Sequence, residues 1–207
     1  MGKIYCIMGK SASGKDVIFK RLLKNESLKL KNIVSYTTRP IRKKELDGVE
    51  YHFVSEAEER KLEKEGRIIE RRVYDTRLGR WAYFLVDDGQ VDLSEGDYLI
   101  IGTLESFQSL ENYYKKDNVI PIYIEVEDSV RLERALRREK KQPDPKYEEM
   151  CRRFLTDTAD FSEEKLKAAG VLEENIFENH GDIMDTVERI SGFIINHRKE
   201  VAYGNKN

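Results

Sequence analysis

Residues 8–20 read MGKSASGKDVIFK, and positions 9–15 within them fit G-x-x-x-x-G-K, the spacing of a phosphate-binding loop. An apolar run, KIYCIMG, precedes the stretch, and Val17, Ile18, Leu22 and Leu23 follow at helical spacing. Strand, glycine loop and helix in that order is the context such a loop requires. Its glycines let backbone N–H groups face phosphate oxygens, the helix start contributes its dipole, and Lys15 adds a point charge at the β and γ phosphates. Gly9, Ser11, Ala12, Ser13, Gly14, Lys15 and Asp16 are the expected contacts, and ATP is the expected ligand. A glycine-rich turn without a ligand is the plainer alternative.

Around the loop, strand-like and helix-like patterns alternate, which predicts an α/β fold with a largely parallel sheet flanked by helices. Strands are expected at residues 3–8, 98–101 and 120–126, and helices at 15–25 and 181–197. Between about 35 and 94 the pattern changes to short alternating stretches, EYHFV, RIIERRVY and RWAYFLV, around one charged helix. That reads as a small mixed β insertion. Ser55 and Glu58 have the spacing of a capping box at the start of the charged helix, and Gly66 suits its end. Near residues 138–156 Pro143 and Pro145 interrupt a charged helical pattern, giving a helix, hinge, helix arrangement suited to a lid. The last residues, VAYGNKN, read as a frayed tail.

Composition excludes several classes of function. The 207 residues fit one domain, and a net charge of -2 gives no global basic field for nucleic acid or an anionic membrane. The longest apolar runs are strand-sized, so no membrane span is expected. The start lacks a signal-peptide pattern, and a cytoplasmic location is the expectation. Cys6 and Cys151 have no metal-ligand spacing, and His52, His180 and His197 are scattered. All five read as structural residues.

A second anion-binding constellation lies in VSYTTRPIRKKELDGVEYHFVS, where Arg39, Arg42, Lys43 and Lys44 fall close together. Arginine forks grip phosphate in a bidentate way. The run S-x-T-T-R-P-x-R, followed by D-G-x-x-Y-x-F-V-S, resembles the guanylate kinase family. With the phosphate loop and the C-terminal helices, the resemblance covers most of the chain. It implies a P-loop NTPase fold in a single domain, with core residues 1–34 and 95–207, an acceptor-binding insertion at 35–94 and the lid. Arg39, Arg42 and Tyr51 would grip the phosphate of an acceptor nucleoside monophosphate, with Ser35 at its base. Glu70, in RIIE, falls where the family keeps a carboxylate for guanine, and a carboxylate suits the adjacent N1–H and N2–H₂ donors of that base. Arg134, Arg138 and Arg153 would close over the transferred phosphoryl group, with Arg137 or Arg152 as substitutes.

Three features depart from the family pattern. Asp16 stands where phosphate loops usually carry a hydroxyl for Mg²⁺. Tyr83 is the candidate for a second phosphate-binding tyrosine, with Trp81 and Tyr74 as alternatives. Ile101 and Thr103 replace strand-end aspartates, leaving Thr103 as a base contact. Asp16 either faces the metal, compensating the lost carboxylate, or is an acid in the first turn of a helix, where the dipole favours it. The expectation is an ATP-dependent kinase with Mg²⁺, acting on GMP. A kinase of a sugar phosphate such as ribose 1,5-bisphosphate and a catalytically weak phosphopeptide-binding module are the competing readings.

Overall fold

Five consecutive apolar residues, Ile4–Met8, form strand β1, and each of them is fully buried. Continuous burial of a strand requires cover on both faces, which is the situation of a central strand in a parallel sheet. The computed structural model describes residues 1–76 and 79–204, and it places β1 in the middle of a five-stranded sheet. Strands β7 (Tyr98–Ile101) and β8 (Val119–Glu125) flank β1 in parallel. Outside them lie β2 (Lys31–Asn32) and β9 (Ile176–Glu178), also parallel. The sheet order is β2-β7-β1-β8-β9.

Alternate residues of β1 divide between two cores. Tyr5 and Ile7 pack with Ile18 and Leu22 of helix α1 (Lys15–Lys24) and with Ile190 and Ile194 of α7 (Ile183–Gly204). Ile4, Cys6 and Met8 pack on the other face with Phe107 and Leu110 of α3 (Leu104–Tyr114) and with Phe161. Fully burying each such side chain contributes about 1.5–3 kcal/mol. Helix α7 extends through residues 201–204, where the sequence suggested a frayed tail; residues 205–207 lie outside the described residues. Among the described residues no helix is long and apolar enough to cross a membrane.

A second sheet draws its strands from residues 36–86. β3 (Tyr36–Thr37), β4 (His52–Phe53), β5 (Ile68–Thr76) and β6 (Gly79–Val86) run in the order β4-β3-β6-β5, with β3–β4 parallel and the other pairs antiparallel. Helix α2 (Glu56–Lys64) lays Leu62 against Ala82, Phe84 and Val86. The Ser55 hydroxyl accepts from the Glu58 N–H at 3.2 Å, as the capping pattern predicted. Glu59 on the same helix is 1% exposed and takes a two-pronged contact from Arg80 at 2.7 and 2.8 Å, fixing the helix to β6.

Helices α4 (Asp128–Glu139) and α5 (Tyr147–Asp160) are separated by the segment carrying Pro143 and Pro145. Helix α5 has no buried residue, so little packing holds it in one position. Helix α6 (Glu163–Ala168) follows. The two-residue strand β2 had no alternating pattern long enough to announce it.

Candidate active site

The loop between β1 and α1 is shaped by backbone conformations that few residues adopt. Gly9 has φ +155°, Ala12 +64° and Gly14 +92°. A Cβ on Gly9 would lie 2.8 Å from the Ile124 carbonyl oxygen, and one on Gly14 would lie 2.6 Å from Asn179 Nδ2. Both glycines are therefore demanded by space as well as by φ. Gly14 occupies the N-cap position of α1, so the dipole of that helix points at the loop. Lys15 begins the helix, half-buried, and Asp16 is exposed in its first turn.

Residues outside the motif hold the loop in place. Asn179, 2% exposed after β9, donates from Nδ2 to the Ser13 carbonyl at 2.7 Å, while its backbone N–H bonds to the Glu125 carbonyl. Arg134 Nη2 donates to the Asn179 carbonyl at 3.2 Å, bringing this lid residue to the base of the loop. Arg131 is fully buried; it donates to the Ser11 carbonyl at 3.2 Å and to Asp128 at 2.6 and 3.1 Å, and its guanidinium lies over Phe154 of α5. Asp157 of α5 accepts from the Ser11 N–H at 2.6 Å. Sequence reading missed Asn179, Arg131 and Asp157. The signal available for Arg131 was its place on the apolar face of α4, next to Ala135 in burial. Among the described residues, the buried Ser13 hydroxyl has no hydrogen-bond partner.

The second sheet carries the other expected contacts. Arg39 is 4% exposed and grips Glu45 through Nη1 and Nη2, both at 2.9 Å. Its guanidinium also lies 5.6 Å from the centre of the Tyr51 ring and 5.5 Å from that of Phe53. Glu45 accepts in addition from the Arg42 N–H at 2.9 Å, and Arg42 itself is exposed. Tyr51 meets Tyr83 edge-on at 5.6 Å, and Tyr83 meets Tyr74 at 5.8 Å. Of the three aromatic candidates Tyr83 therefore stands beside Tyr51, and Trp81 lies two cross-strand pairs further along the hairpin, opposite Tyr74. Burial pushes the Tyr51 phenol above its ordinary value and Tyr83 adds to the effect; Arg72 and Arg39 oppose it, and Asp16 reinforces it. The charges that reach Tyr51 thus come from both the second sheet and the start of α1.

Glu70 is 8% exposed and is paired with Arg72, two residues along β5 on the same face. The Nε–Oε2 and Nη2–Oε1 distances are 3.3 and 3.2 Å. Burial alone would lower the Arg72 guanidinium, yet the Glu70 carboxylate holds it above its ordinary value. Ser35 is half-buried, its carbonyl bonded to the His52 N–H. Thr103 caps α3: its hydroxyl accepts from the Ser106 N–H at 3.2 Å and contacts the Ser106 hydroxyl at 3.1 Å.

The outer lid arginines lie at the surface. Arg152 and Arg153 both donate to Glu149 at 2.8 Å, the Arg152 contact chief in drawing the carboxyl down to about 2. Arg137 pairs with Glu133 at 2.7 Å, and Arg138 is exposed. Exposed pairs of this kind contribute about 0–1 kcal/mol, so they hold these side chains in place only weakly. Among the described residues no cluster of three metal-ligating side chains exists. One exposed carboxylate next to a phosphate loop is nevertheless what a phosphate-borne Mg²⁺ uses, since phosphates and waters fill its other positions. Asp16 fits that role.

Residues 1–80 match the family model described as guanylate kinase. The guanylate kinase of Schizosaccharomyces pombe is 44% identical over 72 residues, covering 35% of this chain and 36% of that protein. That of Mycoplasma mobile is 36% identical over 122 residues, 58% of each. The chain thus matches between about a third and three fifths of the length of these curated relatives. The crystal structure of guanylate kinase from Anaplasma phagocytophilum superposes with a TM-score of 0.63 at 19% identity, covering 95% of this chain and 86% of that one. The resemblance is carried by sequence in the N-terminal 80 residues and by fold across nearly the whole chain.

Proposed function

We propose that this chain, guanylate kinase-like in sequence over residues 1–80 and in fold beyond them, is a phosphotransferase that moves the γ-phosphoryl group of ATP to a nucleoside monophosphate, with GMP as acceptor. One observation carries the reading. A glycine-shaped loop capped by the N-terminus of α1 is accompanied, on the second sheet, by a buried Arg39 fork set against Tyr51 and Tyr83. Two anion-binding sites, one built on each sheet, are what transfer of a phosphoryl group between two phosphate-bearing substrates requires.

In this reading the loop amides and Lys15 hold the donor phosphates, with Gly9, Ser11, Ala12, Ser13 and Gly14 forming the cradle. Arg39, Arg42, Tyr51 and Tyr83 hold the acceptor phosphate, and Glu45 aims the Arg39 fork by occupying two of its N–H groups. Glu70 and Ser35 face the base, while Thr103 stands at the end of β7 near it. Arg134, Arg138 and Arg153 neutralise charge on the moving group as the lid closes. Mg²⁺ would add charge neutralisation on the donor phosphates, with Asp16 as its protein carboxylate. No general base is required, because the acceptor phosphate is anionic near neutral pH.

ADP release from ATP and Mg²⁺, measured across GMP, AMP, IMP and ribose 1,5-bisphosphate, tests the assignment. Turnover is expected with GMP. Preference for the base-free acceptor would replace this reading with sugar phosphate kinase activity, and absence of ATP binding alongside phosphopeptide binding would replace it with a binding module.

A further inference from the structure

We infer that Arg72 is a specificity-determining residue of the acceptor site, supplying the hydrogen-bond donor that reads the C6 oxygen of a 6-oxopurine while Glu70 reads its N1–H and N2–H₂. The inference rests on the acceptor reading above and adds a residue to which the motifs assign nothing. The two contacts to Glu70 use two of the five guanidinium N–H groups. Among the described residues no other protein acceptor bonds the remaining three. The Glu70 carboxylate likewise keeps lone pairs beyond the two engaged by Arg72.

Alternation along the strand fixes where this pair points. Glu70, Arg72 and Tyr74 share one face of β5, and Arg72 stands directly opposite Tyr83 of β6. Tyr83 in turn meets Tyr51 at 5.6 Å, while Ile69, next to Glu70, packs against the core that contains Cys6 of β1. The pair therefore bridges from the phosphate-facing tyrosines toward the central sheet, along the path a nucleoside would take from its phosphate to its base. A carboxylate beside a guanidinium presents an acceptor next to a donor. The Watson–Crick edge of guanine offers two donors next to one acceptor, whereas adenine offers a donor where guanine has its oxygen.

Charge separates this ligand class from a second phosphate. Arg72 and Glu70 sum to zero, whereas Arg39 has Arg42, Lys43 and Lys44 close by in the chain. A phosphate at the Glu70 end would meet a buried carboxylate whose only close cation is already paired, and like charges at such a place repel. A neutral base with matched donors and acceptors meets no such opposition. Thr103, committed to capping α3, leaves the C6 position to Arg72.

The test measures kcat/KM for GMP and for 2-aminopurine riboside monophosphate, which keeps the N2 amino group and lacks the C6 oxygen and the N1–H, in the wild type, Arg72→Met and Arg72→Lys, with IMP, which keeps both of those groups and lacks only the N2 amino group, as the control for Glu70. A hydrogen bond to a charged donor is equivalent to roughly 10- to 100-fold. The wild type should favour GMP by at least about that factor. In Arg72→Met the GMP-to-2-aminopurine preference should fall about tenfold or more, mainly through KM for GMP, and Arg72→Lys should recover part of it. The ratio is unaffected by how much of each preparation is folded. An equal loss on GMP and 2-aminopurine in Arg72→Met would show that Arg72 does not read the C6 oxygen, a GMP-to-IMP preference that falls in step would show that it only orients Glu70, and improved GMP use would show that it obstructs the base; any of these results overturns the inference. Wild-type protein that phosphorylates neither nucleotide but does phosphorylate ribose 1,5-bisphosphate would instead fail the parent reading.

Discussion

The proposed donor and acceptor sites are made from different materials. The loop after β1 is a backbone site, its shape set by Gly9, Gly14 and the left-handed Ala12 and held from behind by buried residues of β8 and β9. On the second sheet the site is made of side chains, and each buried or half-buried cation there is matched by a carboxylate: Arg39 by Glu45, Arg72 by Glu70, Arg80 by Glu59. A backbone cradle recognises what all nucleoside triphosphates share. Paired side chains can be retuned one at a time, because a carboxylate partner keeps the site's charge near zero while its pattern of donors and acceptors changes. On the proposed function, acceptor choice is concentrated in the region easiest to alter without disturbing the core.

The largest expected effect falls on the backbone site. Lys15→Met should lower kcat by about a thousandfold or more, because it removes the ammonium that the motif places at the β and γ phosphates, while near-native thermal unfolding shows the loop still folded; retained turnover would break the contrast at its root. Next, Arg39→Leu should reduce kcat/KM for the acceptor by about 100- to 1,000-fold through loss of a bidentate phosphate contact, with KM for ATP nearly constant. Parallel loss of both would mean that the two sites are not separable. Glu59→Gln concerns only the scaffold of the acceptor site and should cost about 1–2 kcal/mol, since the Arg80 side chain it abandons is about a third exposed and regains water. Arg80 holds the Glu59 carboxyl below its ordinary 4.5. Its stabilising contribution is therefore present above that value and fades as pH falls through the lowered one. Unfolding midpoints of the variant and wild type should then converge in acid. The smallest effect is expected from Asp16→Ser, a several-fold rise in the Mg²⁺ concentration needed for half-maximal rate, phosphate oxygens and water supplying the other ligands. Unchanged metal dependence would reduce Asp16 to an acid favoured by the helix dipole.

Much of this was readable from residue order because the local signals were strong. The loop spacing, the unbroken apolar run of β1, the Ser55 cap and the proline-interrupted helix pair each have one cheap structural solution, and the fold adopts it. Boundaries of β8 and α1 shifted by a residue, as frayed ends do. What stayed hidden depends on distant partners. Asn179 reaches Ser13 across 166 positions and Asp157 reaches Ser11 across 146, and nothing local marks a lone asparagine or aspartate as a prop. Arg72 was legible as a charge in RIIERRVY, yet only the pairing of β5 with β6 shows that it shares a face with Glu70 while Arg71 turns to Glu59 and Glu63. Thr103 could be read as a base contact or a cap, and its bond to the Ser106 N–H is a fact of the folded helix.

The Asn179 carboxamide has a thermodynamic meaning beyond its geometry. By bonding the Ser13 carbonyl and filling the space beside Gly14, it restricts the loop before any nucleotide arrives, so the conformational entropy of ordering those residues is lost during folding rather than during binding. An Asn179→Ala chain would move that loss to the binding step. Its nucleotide affinity would weaken with a more unfavourable entropy and a larger structural response to ligand, although the carboxamide is bonded to the loop's own backbone and to no phosphate.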